Sequence, residues 1–203
     1  MSKNIINERV DKEPEFNIVE CFATTTLPKA HEYIENIQDM QELDQKGMFI
    51  GVVDAIGSVA LSAEFDADML KQNRRLIGDT ILKLRNWLDF LENNTKHRNA
   101  ISIRDYGFYI DFSDKQQKQF EALRLKLNSY SHPDKNRSSA DEQYVNNAWS
   151  IRDDFLIVVP KIIDFLRHIK EECDFYGDLS EYHKGVLEKV TKDAEEVYRN
   201  AWN

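Results

Sequence analysis

The chain has 203 residues, 31% of them charged and 11% aromatic, with a formal net charge of −9. A chain of this length buries roughly 70% of the surface its unfolded form exposes, so one domain with a sizeable core needs no second stabilising device. The acidic balance disfavours a nucleic-acid-binding face spread over the whole surface. The two isolated cysteines, Cys21 and Cys173, exclude a Cys-x-x-Cys site and point to free thiols in a reducing, cytoplasmic setting.

With only 7 Gly and 4 Pro, mostly between periodic segments, the chain favours helices over sheet. Residues 1–14 are polar and charged and read as a flexible N-terminal arm without a signal peptide; residues 15–203 read as a single helical-bundle domain. Phe16–Thr26 is β-branched and aromatic with no evident pairing partner, and is expected to be irregular or a docking segment. Thr26-Leu27-Pro28 then opens a helix, with Thr26 as its cap and Pro28 in the first turn, where a missing N–H does no harm. Ala30, Ile34, Ile37, Met40 or Gln41, and Leu43 keep one face of it apolar.

A second helical segment is expected over Met48–Ala63. The wider window Met48–Phe65 is the one membrane candidate, but it contains Asp54 and Glu64 and so reads as a buried helix, with Gly47, Gly51 and Gly57 permitting close approach. Asp66 or Asp68 starts the next helix, in which Ile77, Ile81, Leu84, Leu88 and Leu91 follow the spacing of a bundle seam up to Asn93-Asn94. Ala100–Phe112 is ambiguous between a short strand and an aromatic-rich helix. Ser113 and Gln116 form a capping box ahead of the stripe Phe120, Leu123, Leu127 and Tyr130.

Beyond a His-Pro-Asp turn, Ser138 or Ser139 caps a long helix through Trp149, Phe155, Ile162, Leu166 and Ile169, which Pro160 should kink. A break at Tyr176-Gly177-Asp178 precedes a last amphipathic helix with Leu179, Tyr182, Val186, Val190, Ala194, Val197 and Ala201. Every stripe needs a partner, because an amphipathic helix gains most of its stability by burying its apolar face. The expected fold is therefore all-α, a single-domain bundle of five to seven helices.

The residues that would carry chemistry are few. There is no Gly-rich phosphate loop, no Gly-x-Ser-x-Gly elbow, no His-Glu-x-x-His helix and no paired carboxylate–histidine repeat, so no metal or cofactor is expected. His31 and His183 lie on charged helices, His97 in a basic loop, and His168 where a helix C-terminal dipole favours it. His132 has more informative neighbours. From Asp114 to Arg137 six cations (Lys115, Lys118, Arg124, Lys126, Lys135, Arg137) face three acids (Asp114, Glu121, Asp134). Lys118, Arg124, Lys126, His132, Pro133 and Asp134 are the candidate partner-binding residues, placed to steer an acidic protein surface.

His132-Pro133-Asp134-Lys135-Asn136 resembles the His-Pro-Asp loop of J-domain co-chaperones. Asp105-Tyr106 stands nearly where that family's opening Asp-Tyr does, Arg124 and Lys126 lie on the preceding helix, and Ala148-Trp149 is similar to its Ala-Tyr. The resemblance implies a loop between two antiparallel helices that stimulates ATP hydrolysis by a heat-shock chaperone. A second resemblance covers overlapping residues. Lys126-Leu127-Asn128-Ser129-Tyr130-Ser131-His132 is similar to the motif of small all-helical HEPN proteins, found in toxin–antitoxin and phage-defence systems, whose catalytic members cleave RNA across a dimer. Lys126, Asn128 and His132 are the catalytic candidates it implies. Lys126 stands where those members carry Arg, and an ammonium lacks the bidentate fork Arg offers a phosphate, so a non-catalytic member is implied. The expectation is a non-catalytic helical protein-interaction module or assembly subunit, with a protein partner, a possible homodimer, no membrane, and RNA only in the HEPN-type alternative.

Overall fold

The apolar stripes of the sequence are the surfaces on which the helices meet. The computed structural model describes residues 17–49, 67–92, 101–131 and 149–201. These form an all-α bundle of six α-helices: α1 Ile18–Cys21, α2 Leu27–Gln45, α3 Ala67–Leu91, α4 Asp114–Ser131, α5 Val159–Glu171 and α6 Glu181–Asn200. Among the described residues there is no strand, and no helix is long and apolar enough to cross a membrane. The arm at 1–14, the helix expected up to Ala63, Asn93-Asn94, His97, the His132-Pro133-Asp134 loop and the Ser138 cap lie outside the described residues.

The seam residues Ile77, Ile81, Leu84, Leu88 and Leu91 of α3 are all at most 2% exposed. They join Ala30, Ile34, Ile37 and Met40 of α2, Ile162, Leu166 and Ile169 of α5 and Val190, Ala194 and Val197 of α6 in one contiguous core. Polar contacts set the helix directions. Asn36 donates to Asp79 (2.9 Å) and Thr80 (3.0 Å) while Glu32 meets Lys83 at 3.5 Å, so α2 and α3 are antiparallel. Helix α6 runs parallel to α2, with Lys189 beside His31 (3.1 Å) and Gln41 donating to the Val197 carbonyl (2.8 Å). It is antiparallel to α5 through Lys170–Glu188 and Arg167–Glu195.

Five expectations are corrected. The described part of Phe16–Thr26 is not irregular: Asn17 caps α1, and Phe22–Thr26 forms a π-helical turn that runs into α2, so Thr26 lies inside a continuous helical path rather than capping one. Pro28 supplies the reason. It cannot donate to Thr24, and its ring crowds that carbonyl, so the helix passes the proline by slipping one residue first, with the Leu27 N–H reaching back to Phe22. Pro160 does not kink a long helix. Ser150 caps a π-helical turn at Ile151–Phe155, a bend follows, and α5 begins afresh with Pro160 in its first turn.

Gly47 serves no close approach, since a Cβ there would meet nothing within 4 Å. It sits at φ 65°, just past the end of α2, where Met48 N–H bonds the Leu43 carbonyl and Gly47 N–H that of Asp44, the Schellman arrangement that terminates a helix. Tyr182, counted in the last stripe, is 74% exposed, because the buried line of α6 passes through Leu187, Val190, Ala194 and Val197 and leaves Tyr182 to one side.

The turn at Ile151–Phe155 is anchored to α2 by the fully buried Tyr33, whose hydroxyl donates to the Phe155 carbonyl at 2.7 Å. Burial, aided by the charge of Asp154, pushes that hydroxyl well above the usual tyrosine range and keeps it a neutral donor. Leu84→Ala should cost about 2–5 kcal/mol in urea unfolding, whereas Leu82→Ala, at a position 57% exposed, should stay within about 0.5 kcal/mol. Equal effects would mean the seam is misplaced on α3.

Candidate interaction surface

Helix α4 carries most of the described residues that the sequence singled out. It buries Phe120, Leu123 and Leu127, and its two central cations leave on opposite flanks, because residues two apart on a 3.6-residue turn point to nearly opposite sides of the axis. Arg124 turns toward α3, bonding Asp89 at 2.9 Å and also Glu92. Burial lowers its guanidinium pKa, but the two carboxylates outweigh this and raise it above its ordinary value. Lys126 turns the other way, to Asp154 at 2.6 Å, with its ammonium 4.6 Å above the Trp149 ring. The same Asp154 oxygen accepts the Ser150 N–H at 2.7 Å, and Asp154 is only 8% exposed.

Lys118 and Asn128 are exposed on the outer side of α4, and His132, Pro133 and Asp134 lie outside the described residues. Asp89, Glu92 and Asp154 thus bring three acids against the two central cations, Arg124 and Lys126. Arg124 and Lys126 hold the fold together rather than forming a bare cationic face.

The segment leading into α4 is organised differently. Ser102 and Asp105 form a capping box around a 3₁₀ turn at Ile103–Tyr106, and Gly107 follows in the left-handed region at φ 73°, a conformation glycine adopts without strain. Tyr106 is 3% exposed, its ring set edge-on to Phe22 and Phe165. Its hydroxyl, kept neutral by burial, bonds Thr26 at 2.8 Å. Its carbonyl accepts from His168 Nε2 (3.1 Å) and the Cys173 thiol (3.5 Å). Burial, then Glu172 and Asp174, push that thiol up and preserve its proton. His168 lies in the last turn of α5, as the dipole argument expects, and also meets Glu172 at 3.1 Å.

From Phe108 to Ser113 the chain takes no helical form and burial alternates: Phe108, Ile110 and Phe112 are half-buried, while Tyr109, Asp111 and Ser113 are exposed. This period of two is the signature of extended backbone. Both ends are pinned by rings, Phe108 on His168 (4.9 Å) and Phe112 on Phe120 (5.1 Å). Between the pins, no backbone N–H or C=O of Phe108–Phe112 bonds another described residue. Beside the segment lies a groove of about 280 Å³, whose walls include Leu91, Ile103, Phe112 and Phe120. Arg104 is exposed on its rim, its guanidinium 5.9 Å over the Tyr109 ring and in no ion pair with a described residue.

The sequence left Ala100–Phe112 undecided and selected neither Arg104 nor Tyr109. The alternation of Phe108-Tyr109-Ile110-Asp111-Phe112 was the available signal. Among the described residues no group of three His, Cys, Asp or Glu is arranged to hold a metal ion. Compared with known proteins, the chain matches no family model, no curated protein and no solved structure.

Arg124→Glu, which would face Asp89 and Glu92, and Asp154→Ala, which would strip Lys126 and the Ser150 N–H of their acceptor, should each lower stability by about 1.5–3 kcal/mol. Lys118→Glu should change it by less than about 0.5 kcal/mol. Chemical denaturation of the three variants separates the two kinds of cation; a neutral Arg124→Glu would mean the clamp contributes nothing.

Proposed function

We propose that the chain is a non-catalytic protein-interaction module or a subunit of a larger assembly, and that it engages its partner through Phe108–Phe112. One observation carries this reading: an extended segment, held at both ends by ring contacts, presents backbone donors and acceptors with no bond to another described residue. Peptide groups lose little free energy in water but need partners once buried, so such an edge is a template for a second strand. The adjacent groove, lined by both apolar and polar side chains, would supply pockets for side chains.

A photo-crosslinking amino acid in place of Tyr109, in cells that produce the protein, should yield a discrete protein adduct. The same residue in place of the equally exposed Tyr182 should not. Equal yields at both positions, or none at either, would remove the interaction reading.

The HEPN-type alternative asks Lys126 to meet a phosphate, whereas its ammonium is bonded to Asp154 over an indole ring. Incubation with total RNA is therefore expected to give the same products with the natural chain and with His132→Ala. Fragments that disappear only in the variant would overturn the non-catalytic reading.

A further inference from the structure

We infer that the segment Phe108–Phe112 pairs, antiparallel and about a twofold axis at Ile110, with the same segment of a second copy of this chain. The inference rests on the interaction reading above and names the partner. Three observations select it. The first is the open backbone of the segment, since an unpaired extended run is completed by another strand.

The second is the sequence symmetry. Phe-Tyr-Ile-Asp-Phe reads alike from either end in its apolar positions, so a twofold at Ile110 sets Phe108 against Phe112 of the second copy and Ile110 against itself. A closed dimer requires such a self-complementary contact, and aromatic and β-branched residues facing across strands are stabilising pairs.

The third observation is charge. The same axis brings Tyr109, with Arg104 stacked over it at 5.9 Å, opposite Asp111 of the second copy, and does so twice. Arg104 and Asp111 are both exposed, and neither is in an ion pair with a described residue. Each thus supplies what the other lacks. Neighbouring registers do not share this property. A twofold at Asp111 would set two carboxylates opposite each other, and one at Tyr109 would bring two guanidinium groups together; like charges directly opposed across strands are destabilising. The net charge of −9 on each copy opposes association at long range, and physiological salt screens it beyond about 8 Å, so the contact is favoured at physiological rather than low ionic strength.

Sedimentation velocity of the full chain at physiological salt should show a concentration-dependent monomer–dimer equilibrium. Asp111→Arg and Arg104→Asp should each weaken it by about tenfold or more, and the double variant that exchanges the two charges should recover most of the loss. Both positions are exposed, so circular dichroism and thermal melting should be unchanged, and an unfolded variant cannot be mistaken for a dissociated one. Tyr109→Phe, which keeps the ring, should leave the equilibrium in place. A chain that stays monomeric at every concentration, or a dimer indifferent to the charge variants and their exchange, overturns the pairing. If the chain is monomeric yet position 109 still crosslinks a different protein, the pairing falls and the interaction reading stands; if neither dimer nor adduct forms, both fall.

Discussion

Tyr106 is the point on which the described structure turns. Its ring fills the junction of the π-helical turn before α2, the C-terminal half of α3 and the middle of α5, through Phe22, Phe90 and Phe165. Its two polar ends are both satisfied, the hydroxyl by Thr26 and the carbonyl by His168 and Cys173. A buried tyrosine without those partners would carry the desolvation cost of each group. With them, one residue ties three parts of the chain together and fixes where the following segment begins. Gly107 then turns the backbone out, and the extended run is delivered to the surface at a set position rather than as a loose loop.

Helix α4 depends on charge in a way that a count along the sequence misrepresents. Two cations two residues apart suggest a basic face, yet the helical turn sends them to opposite flanks, each to acids supplied by distant parts of the chain: Asp89 of α3 with Glu92 just beyond its end, and Asp154 from the turn before α5. The pairs fix the rotation of α4 about its axis, which the short stripe of Phe120, Leu123 and Leu127 would leave less well determined. Local charge becomes a surface property only once the partners across the fold are known.

The helix seams were legible because burial on one side of a helix writes a 3–4 spacing into the sequence, as in Ile77 to Leu91 and Val190 to Val197. The capping box at Ser113–Gln116 was legible for a similarly local reason, and both of its hydrogen bonds are present. What could not be read depends on hydrogen-bond register or tertiary company. The π-helical turn ahead of Pro28 looks from composition like irregular chain, because a one-residue slip leaves no compositional mark. Pro160 marks a discontinuity in sequence, but not whether a helix bends there or restarts. The candidate surface was half legible: the segment up to Phe112 stayed open between a short strand and a helix although Phe108 to Phe112 alternates, while its lack of a strand partner among the described residues belongs to the fold. Arg104 was invisible, since an unpaired guanidinium is defined by what does not surround it.

The attachment of α4 also has a dynamic side. Among its described side chains only Phe120, Leu123 and Leu127 are buried, whereas the shorter α5 buries six. Local opening in proteins follows units of low buried area, and on its described side chains α4 contributes less of it than α5. Phe120 is the ring against which Phe112 packs. An opening of α4 would release the C-terminal pin of the extended segment while His168 kept hold of Phe108 at the other end. An edge held in this way would persist only while its C-terminal pin stays in place, so its persistence would follow the opening of α4.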